Sequence, residues 1–242
     1  MNYSTATQNH FQNNSHLAPG LRTLFHFPLC PYSRKVRLVL AEKKLHAAFE
    51  VESYWQRRPE FLAINPAGQV PVMIDGNDQA VVGSQAIVEY LEEVEGGINL
   101  LGQTPQERAE VRRLISWFDE KFAQEVTKNL LGERVMKRIT GRGEPDSGAI
   151  RAGRENIIFH LNYIGYLAER RNWLAGDHFS VADCAAAAHL SVLDYINDVP
   201  WDRQLAAKDW YTRVKSRPAF RSLLQDRLSS LPPAPHYAEL DG

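Results

Sequence analysis

The chain reads as a small mixed α/β unit followed by a larger all-helical one. Three observations predict this. Residues 21–95 interleave short strand patterns with amphipathic stretches. A glycine-bearing segment, Glu95-Gly96-Gly97 through Gly102, then interrupts the pattern. From Thr104 to about residue 230 the apolar residues recur with the period of helices.

The elements follow in order. Residues 1–20 are rich in Asn, Gln, Ser and Thr and are expected to be a disordered lead-in. Leu21 to Phe27 alternates and carries aromatics, predicting a strand. Pro28 and Pro31 bracket a turn. Ser33 to Leu45 follows as an amphipathic helix, with Val36, Val39 and Leu40 apolar and Arg34, Lys35, Arg37, Lys43 and Lys44 between them. Phe49-Glu50-Val51 fits a second strand. Val70–Asp75 and Gln79–Val82 predict a hairpin turning at Gly76-Asn77-Asp78. Ser84 is expected to cap a helix that buries Ile87, Val88, Leu91 and Val94.

In the second unit, 103–230, Thr104-Pro105-Gln106-Glu107 combines an N-cap, proline at the first helical position and a glutamate that can return a bond to the cap. Val111, Leu114, Ile115, Phe118 and Phe122 mark the inner face of the helix it opens. A break at Gly141–Asp146 separates this helix from a long one reaching about Arg171. Ser180-Val181-Ala182-Asp183 is a second capping box, before a helix crowded with alanine at Ala185–Ala188. Lys208–Arg217 predicts one more helix, and Leu231-Pro232-Pro233-Ala234-Pro235 stops helix formation at the start of the tail, 231–242.

Bulk properties exclude several functions. The length, 242 residues, suits two domains. A formal net charge of −1 gives no whole-protein field to gather nucleic acid. Two cysteines, Cys30 and Cys184, fit a reducing compartment rather than a disulfide framework. With neither a bilayer-spanning apolar run nor a signal pattern at the N-terminus, a cytoplasmic protein is expected.

Few residues point to chemistry. Cys30-Pro31-Tyr32-Ser33 lies at a strand-to-helix junction, where the helix N-terminus favours thiolate and Arg34 and Lys35 add positive charge. Cys30 is thus either a nucleophile or a small residue at a helix start; Cys184 reads as an inert core thiol. Val70-Pro71, after Gln69, is a proline at a strand start, which is either an ordinary edge proline or a cis bond presenting the Val70 backbone to an extended peptide. Gly83-Ser84 offers free N–H groups and a hydroxyl at a helix start, either a carboxylate site or a plain cap. Arg134, Lys137, Arg138 and Arg142 form a basic cluster that is either a solvated helix face or a surface for an acidic peptide. Trp55, beside Arg57 and Arg58, has the composition of a binding hot spot or of a core plug.

Together, Cys30–Arg37, Asn65–Val72, the Ser84 helix start and Trp173–Asp183 resemble the glutathione-transferase superfamily over roughly residues 21–225. The resemblance implies a thioredoxin-like domain at 21–95 and an all-helical domain at 103–230. It implies that Pro71 is cis, that Gln69 and Val70 bind the peptide part of glutathione, that Ser84 takes its γ-glutamyl carboxylate, and that Cys30 or Ser33 faces the sulfur. Many family members carry an acidic residue or glutamine where this chain has Gly83. Loss of that charge-assisted contact weakens the expectation of glutathione binding.

A narrower likeness lies in Arg57–Leu62, Ile150–Arg154, Tyr163–Trp173, Asp198–Trp201 and the tail His236–Asp241. These segments resemble the glutathione-transferase-like proteins of alphaproteobacteria that bind the tubulin-like division protein FtsZ. That resemblance implies a non-enzymatic homodimer at the division site that binds and curves FtsZ filaments, with no cofactor and no metal. It makes Trp55, Arg134, Lys137, Arg138, His236, Leu240 and Asp241 candidate partner contacts. The alternative is a glutathione-dependent transferase or thiol transferase using Cys30.

Overall fold

A computed structural model describes residues 21–76 and 79–239. The expected lead-in at 1–20, the turn residues Asn77 and Asp78, and the candidate contacts Leu240 and Asp241 lie outside the described residues. The chain divides into two compact units, the first ending at Gly96 and the second beginning at Gly97.

The first unit is a four-stranded sheet with helices. Its elements are β1 (Arg22–His26), α1 (Pro31–Glu42), β2 (Ala47–Val51), α2 (Pro59–Ile64), β3 (Val72–Ile74), β4 (Ala80–Val82) and α3 (Ser84–Val94). The strand order is β2-β1-β3-β4. β1 runs parallel to β2, with Arg22 opposite Ala47, and antiparallel to β3, with Leu24 opposite Met73. Leu24, Val36, Val39, Val72, Met73, Ile87, Val88 and Leu91 fill the core. This is the thioredoxin-like arrangement the resemblance implied.

Val94, expected on the buried face of α3, is exposed, and three further local expectations need correction. α1 begins at Pro31 rather than Ser33, with Cys30 as its N-cap, because proline at the first helical position gives up no hydrogen bond. Arg34, Lys35 and Arg37 are not a solvated face: all three are buried, and the Arg34 Nε donates to the Pro28 carbonyl at 2.7 Å. Ser84 is not the cap of α3 but its first residue; the cap is Gly83, at φ 90°. That conformation is one glycine reaches without steric cost.

The second unit is helical. α4 (Pro105–Ser116) passes without a break into a wider, π-wound stretch (Trp117–Met136) and closes as α5 (Lys137–Thr140). α6 (Ser147–Ala168), α7 (Val181–Tyr195), α8 (Leu205–Lys215) and the short α9 (Arg221–Leu224) follow. The capping box at Thr104 is formed, the Glu107 N–H donating to the Thr104 hydroxyl at 3.1 Å and Glu107 accepting from the Thr104 N–H at 3.4 Å. Gly141 in the left-handed region and Asp146, capping α6 through the N–H groups of Gly148 and Ala149, make the expected break. α7 is buried along its whole length, and its four successive alanines let neighbouring helices close on it. Gly153 of α6 serves the same end. A Cβ there would stand 2.9 Å from the Asn129 and Leu130 side chains, so only glycine admits this approach.

Asp183 shows how the second capping box becomes a core feature. Fully buried, its carboxylate accepts from the Leu174 N–H at 3.0 Å, the Ser180 N–H at 3.1 Å and the Trp210 indole at 2.9 Å. Burial raises its pKa above the ordinary carboxylate value, with these donors acting against the rise.

Candidate functional site

The transferase-type residues come together in the first unit. Cys30 ends the turn after β1, its N–H donating to the Phe27 carbonyl at 2.9 Å. Its thiol is half-buried and stands 3.8 Å from the Val70 carbonyl oxygen. The Val70–Pro71 peptide is cis. Asn65 holds the approach to it, donating from Nδ2 to the Gln69 carbonyl at 2.8 Å, while the Gln69 side chain faces solvent. The Pro71 carbonyl accepts from the Gly83 N–H at 3.1 Å, which fixes the start of α3 beside the cis bond.

At that start the first N–H groups have no intrahelical acceptor, as in any helix, and the cap residue Gly83 has no side chain to bond them. A Cβ at Gly83 would meet nothing within 4 Å. The space beside position 83 is open, but its φ of 90° strains any residue other than glycine. Ser33 differs from expectation: it is buried, and its hydroxyl accepts from the Phe27 N–H at 3.4 Å inside its own loop. Of Cys30 and Ser33, Cys30 is the more accessible. Among the described residues no group of three or more His, Cys, Asp or Glu is placed to hold a metal ion.

The candidate partner residues are spread over both units. Trp55 is half-buried, its ring edge-on to Phe27 at 5.1 Å and beside Tyr54 at 5.2 Å, so part of it plugs the edge of the sheet. Arg58 is tied to the buried Glu52 at 2.5 Å.

The basic cluster of the second unit is partly neutralised. Arg134 binds the buried Asp198, which also accepts from Arg154 at 3.2 Å. Lys137 pairs with Glu133 at 2.5 Å. Arg138 is exposed and has no ion pair among the described residues. Asp198 lies 64 residues from Arg134 in sequence, so that pairing is not written in the local pattern.

The tail holds an arrangement the sequence did not signal beyond its prolines. Tyr237 is fully buried, its ring 5.2 Å from Tyr195 and its hydroxyl donating to the Leu223 carbonyl at 3.0 Å. Tyr195 in turn donates to the Leu231 carbonyl at 2.7 Å and accepts from the Leu228 N–H at 3.1 Å. The Ala234 N–H donates to the Tyr195 carbonyl at 2.9 Å. His236 lies 3.1 Å from Asp194 through Nε2. Residues 228–237 thus form a strap fastened across the end of α7. No helix among the described residues is long and apolar enough to cross a membrane.

Comparison with known proteins accords with this geometry. Residues 24–98 match the N-terminal domain family of glutathione S-transferases. FtsZ-localized protein A of Caulobacter vibrioides is 51% identical over 223 residues, 91% of this chain and 98% of that protein. A crystal structure of a glutathione S-transferase from Rhodospirillum rubrum superposes with a TM-score of 0.90 at 50% identity, covering 92% of this chain and 100% of that one. The structure of FzlA from C. crescentus superposes with a TM-score of 0.89, also at 50% identity and with the same coverage.

Proposed function

Because the chain belongs to the glutathione S-transferase family, we propose that it uses that fold as a binding protein of bacterial division: a cytoplasmic homodimer at the division site that binds FtsZ filaments and regulates their curvature and constriction. The observation that carries this is the 51% identity with FtsZ-localized protein A along 91% of the chain, which runs through both units. The site supports it. Position 83 is glycine and offers no carboxylate or amide to hold the ammonium of a bound tripeptide. A dimer presents two binding surfaces, so modest contacts gain avidity on a polymer.

The test is co-sedimentation of the purified protein with FtsZ assembled by GTP. The protein should pellet with filaments at low salt; its absence from the pellet there would refute the reading.

A second reading, a glutathione-dependent transferase or thiol transferase, has one observation in its favour. Cys30 places a partly exposed thiol at a helix N-terminus, 3.8 Å from the Val70 carbonyl beside a cis proline. Titration calorimetry with glutathione separates the two. Heat at millimolar ligand and turnover abolished by Cys30→Ser would establish the enzyme.

A further inference from the structure

The second unit carries a cavity of about 340 Å³ that none of the transferase-type residues touches. Two parts of the chain distant in sequence build it. One wall is the end of the long helix, with Arg134, Val135 and Arg138; the other is the strap, Leu231–Pro235, against Tyr195, Ile196 and Asn197.

The strap side is apolar by construction. Of the five strap residues on this wall, Leu231–Pro235, three are prolines and have no N–H. The remaining strap N–H groups are spent, Leu231 on the Leu228 carbonyl at 3.1 Å and Ala234 on the Tyr195 carbonyl at 2.9 Å. The Leu231 carbonyl is taken by the Tyr195 hydroxyl.

The helix side is cationic. Arg134 and Arg154 share the single carboxylate of Asp198, and Arg138 has no ion pair among the described residues. Of the two guanidinium groups on this wall, Arg134 is paired with Asp198, and Arg138 is left unanswered among the described residues. Asn197, exposed and held at φ 57°, adds a side-chain amide with no partner among the described residues.

We propose that this cavity is the docking pocket for an extended peptide segment of the filament partner, in which a carboxylate stands beside a bulky apolar residue. The carboxylate meets Arg138, flanked by Asn197, and the apolar side chain lies on the Pro232–Pro233 shelf. A bidentate guanidinium–carboxylate pair fixes orientation, and the apolar shelf separates such a peptide from a purely ionic ligand. The identity of the partner rests on the FtsZ reading; the chemistry of the pocket does not.

The experiment uses the full chain and two charge reversals, Arg138→Glu and, as a control of equal charge change in the first unit, Lys44→Glu. Each is first checked for an unchanged thermal unfolding midpoint. In co-sedimentation with GTP-assembled FtsZ, Arg138→Glu should lose about tenfold in affinity and Lys44→Glu little. Equal pelleting by wild type and Arg138→Glu would overturn the pocket while leaving the FtsZ reading intact.

If wild type itself fails to pellet, the FtsZ reading falls, and fluorescence anisotropy decides the pocket. The probes are a labelled octapeptide alternating Asp and Leu and its Lys–Leu counterpart. Tighter binding of the acidic peptide, lost in Arg138→Glu alone, would sustain the pocket. Equal binding of the two peptides, or displacement by inorganic polyphosphate at matched charge, would overturn it.

Discussion

His160 is buried between two partners that fix its protonation. Its Nδ1 accepts from the Trp117 indole at 3.1 Å, so the ring hydrogen sits on Nε2 and is donated to Glu125 at 3.0 Å. Burial holds its pKa below the ordinary 6.5, with Glu125 pulling the other way. An unfolded histidine takes up its proton near pH 6.5 and this one only at lower pH, so its contribution is complete above 6.5 and is lost as pH falls. Urea unfolding should therefore show wild type losing stability below pH 6.5 more steeply than His160→Gln; parallel slopes would contradict this.

Glu110 behaves in the opposite chemical sense. The bidentate bond from Arg113, against burial and with help from Arg171, lowers its pKa to about 2 from an ordinary 4.5. Its side chain is 25% exposed, so solvent screening limits the pair to about 1 kcal/mol. Glu110→Gln should cost that much at neutral pH, and the difference should close as pH falls from 4.5 towards 2, measured by thermal unfolding. At this scale the sequence was legible where partners are near neighbours, as at Thr104 and Glu107. It was not legible where they are far apart, as for Arg134 and Asp198 or His160 and Trp117.

At the scale of elements, the two amphipathic patterns of the first unit and the helical period of the second gave the order of strands and main helices, because each is written in local periodicity; the short α2 was not read from it. What escaped was the use made of an element once formed. α1 looked like a helix with a basic face, yet its cations are buried, since periodicity reports polarity and not what packs against it. The strap looked like a helix terminator, yet two tyrosines in different elements fasten it to α7. Tyr195→Phe removes one hydroxyl that both donates to Leu231 and accepts from Leu228, leaving a carbonyl and an N–H of the strap without their partner. The expected cost is about 1–3 kcal/mol. Limited proteolysis should cut the strap faster in the variant, with α7 still protected; identical cleavage rates would show the strap to be held by other contacts.

On the scale of the whole molecule, the transferase-type residues and the proposed docking pocket belong to different units of one chain. Cys30, Val70, Pro71 and Ser84 lie in the first, and Arg138, Asn197 and the strap in the second. Were filament binding a by-product of a glutathione site, the two would fail together. If the fold has been kept as a scaffold while its thiol chemistry lapsed, they separate. Cys30→Ala should then leave co-sedimentation with FtsZ unchanged, while Arg138→Glu abolishes most of it. The same logic fixes the role of self-association. Avidity requires both copies on one filament, so the bound fraction should fall more steeply than in proportion to protein concentration once dilution passes below the dimer dissociation constant. Sedimentation velocity gives that constant independently. Simple one-site binding across it would remove the dimer from the mechanism, and with it the means by which weak contacts bend a polymer.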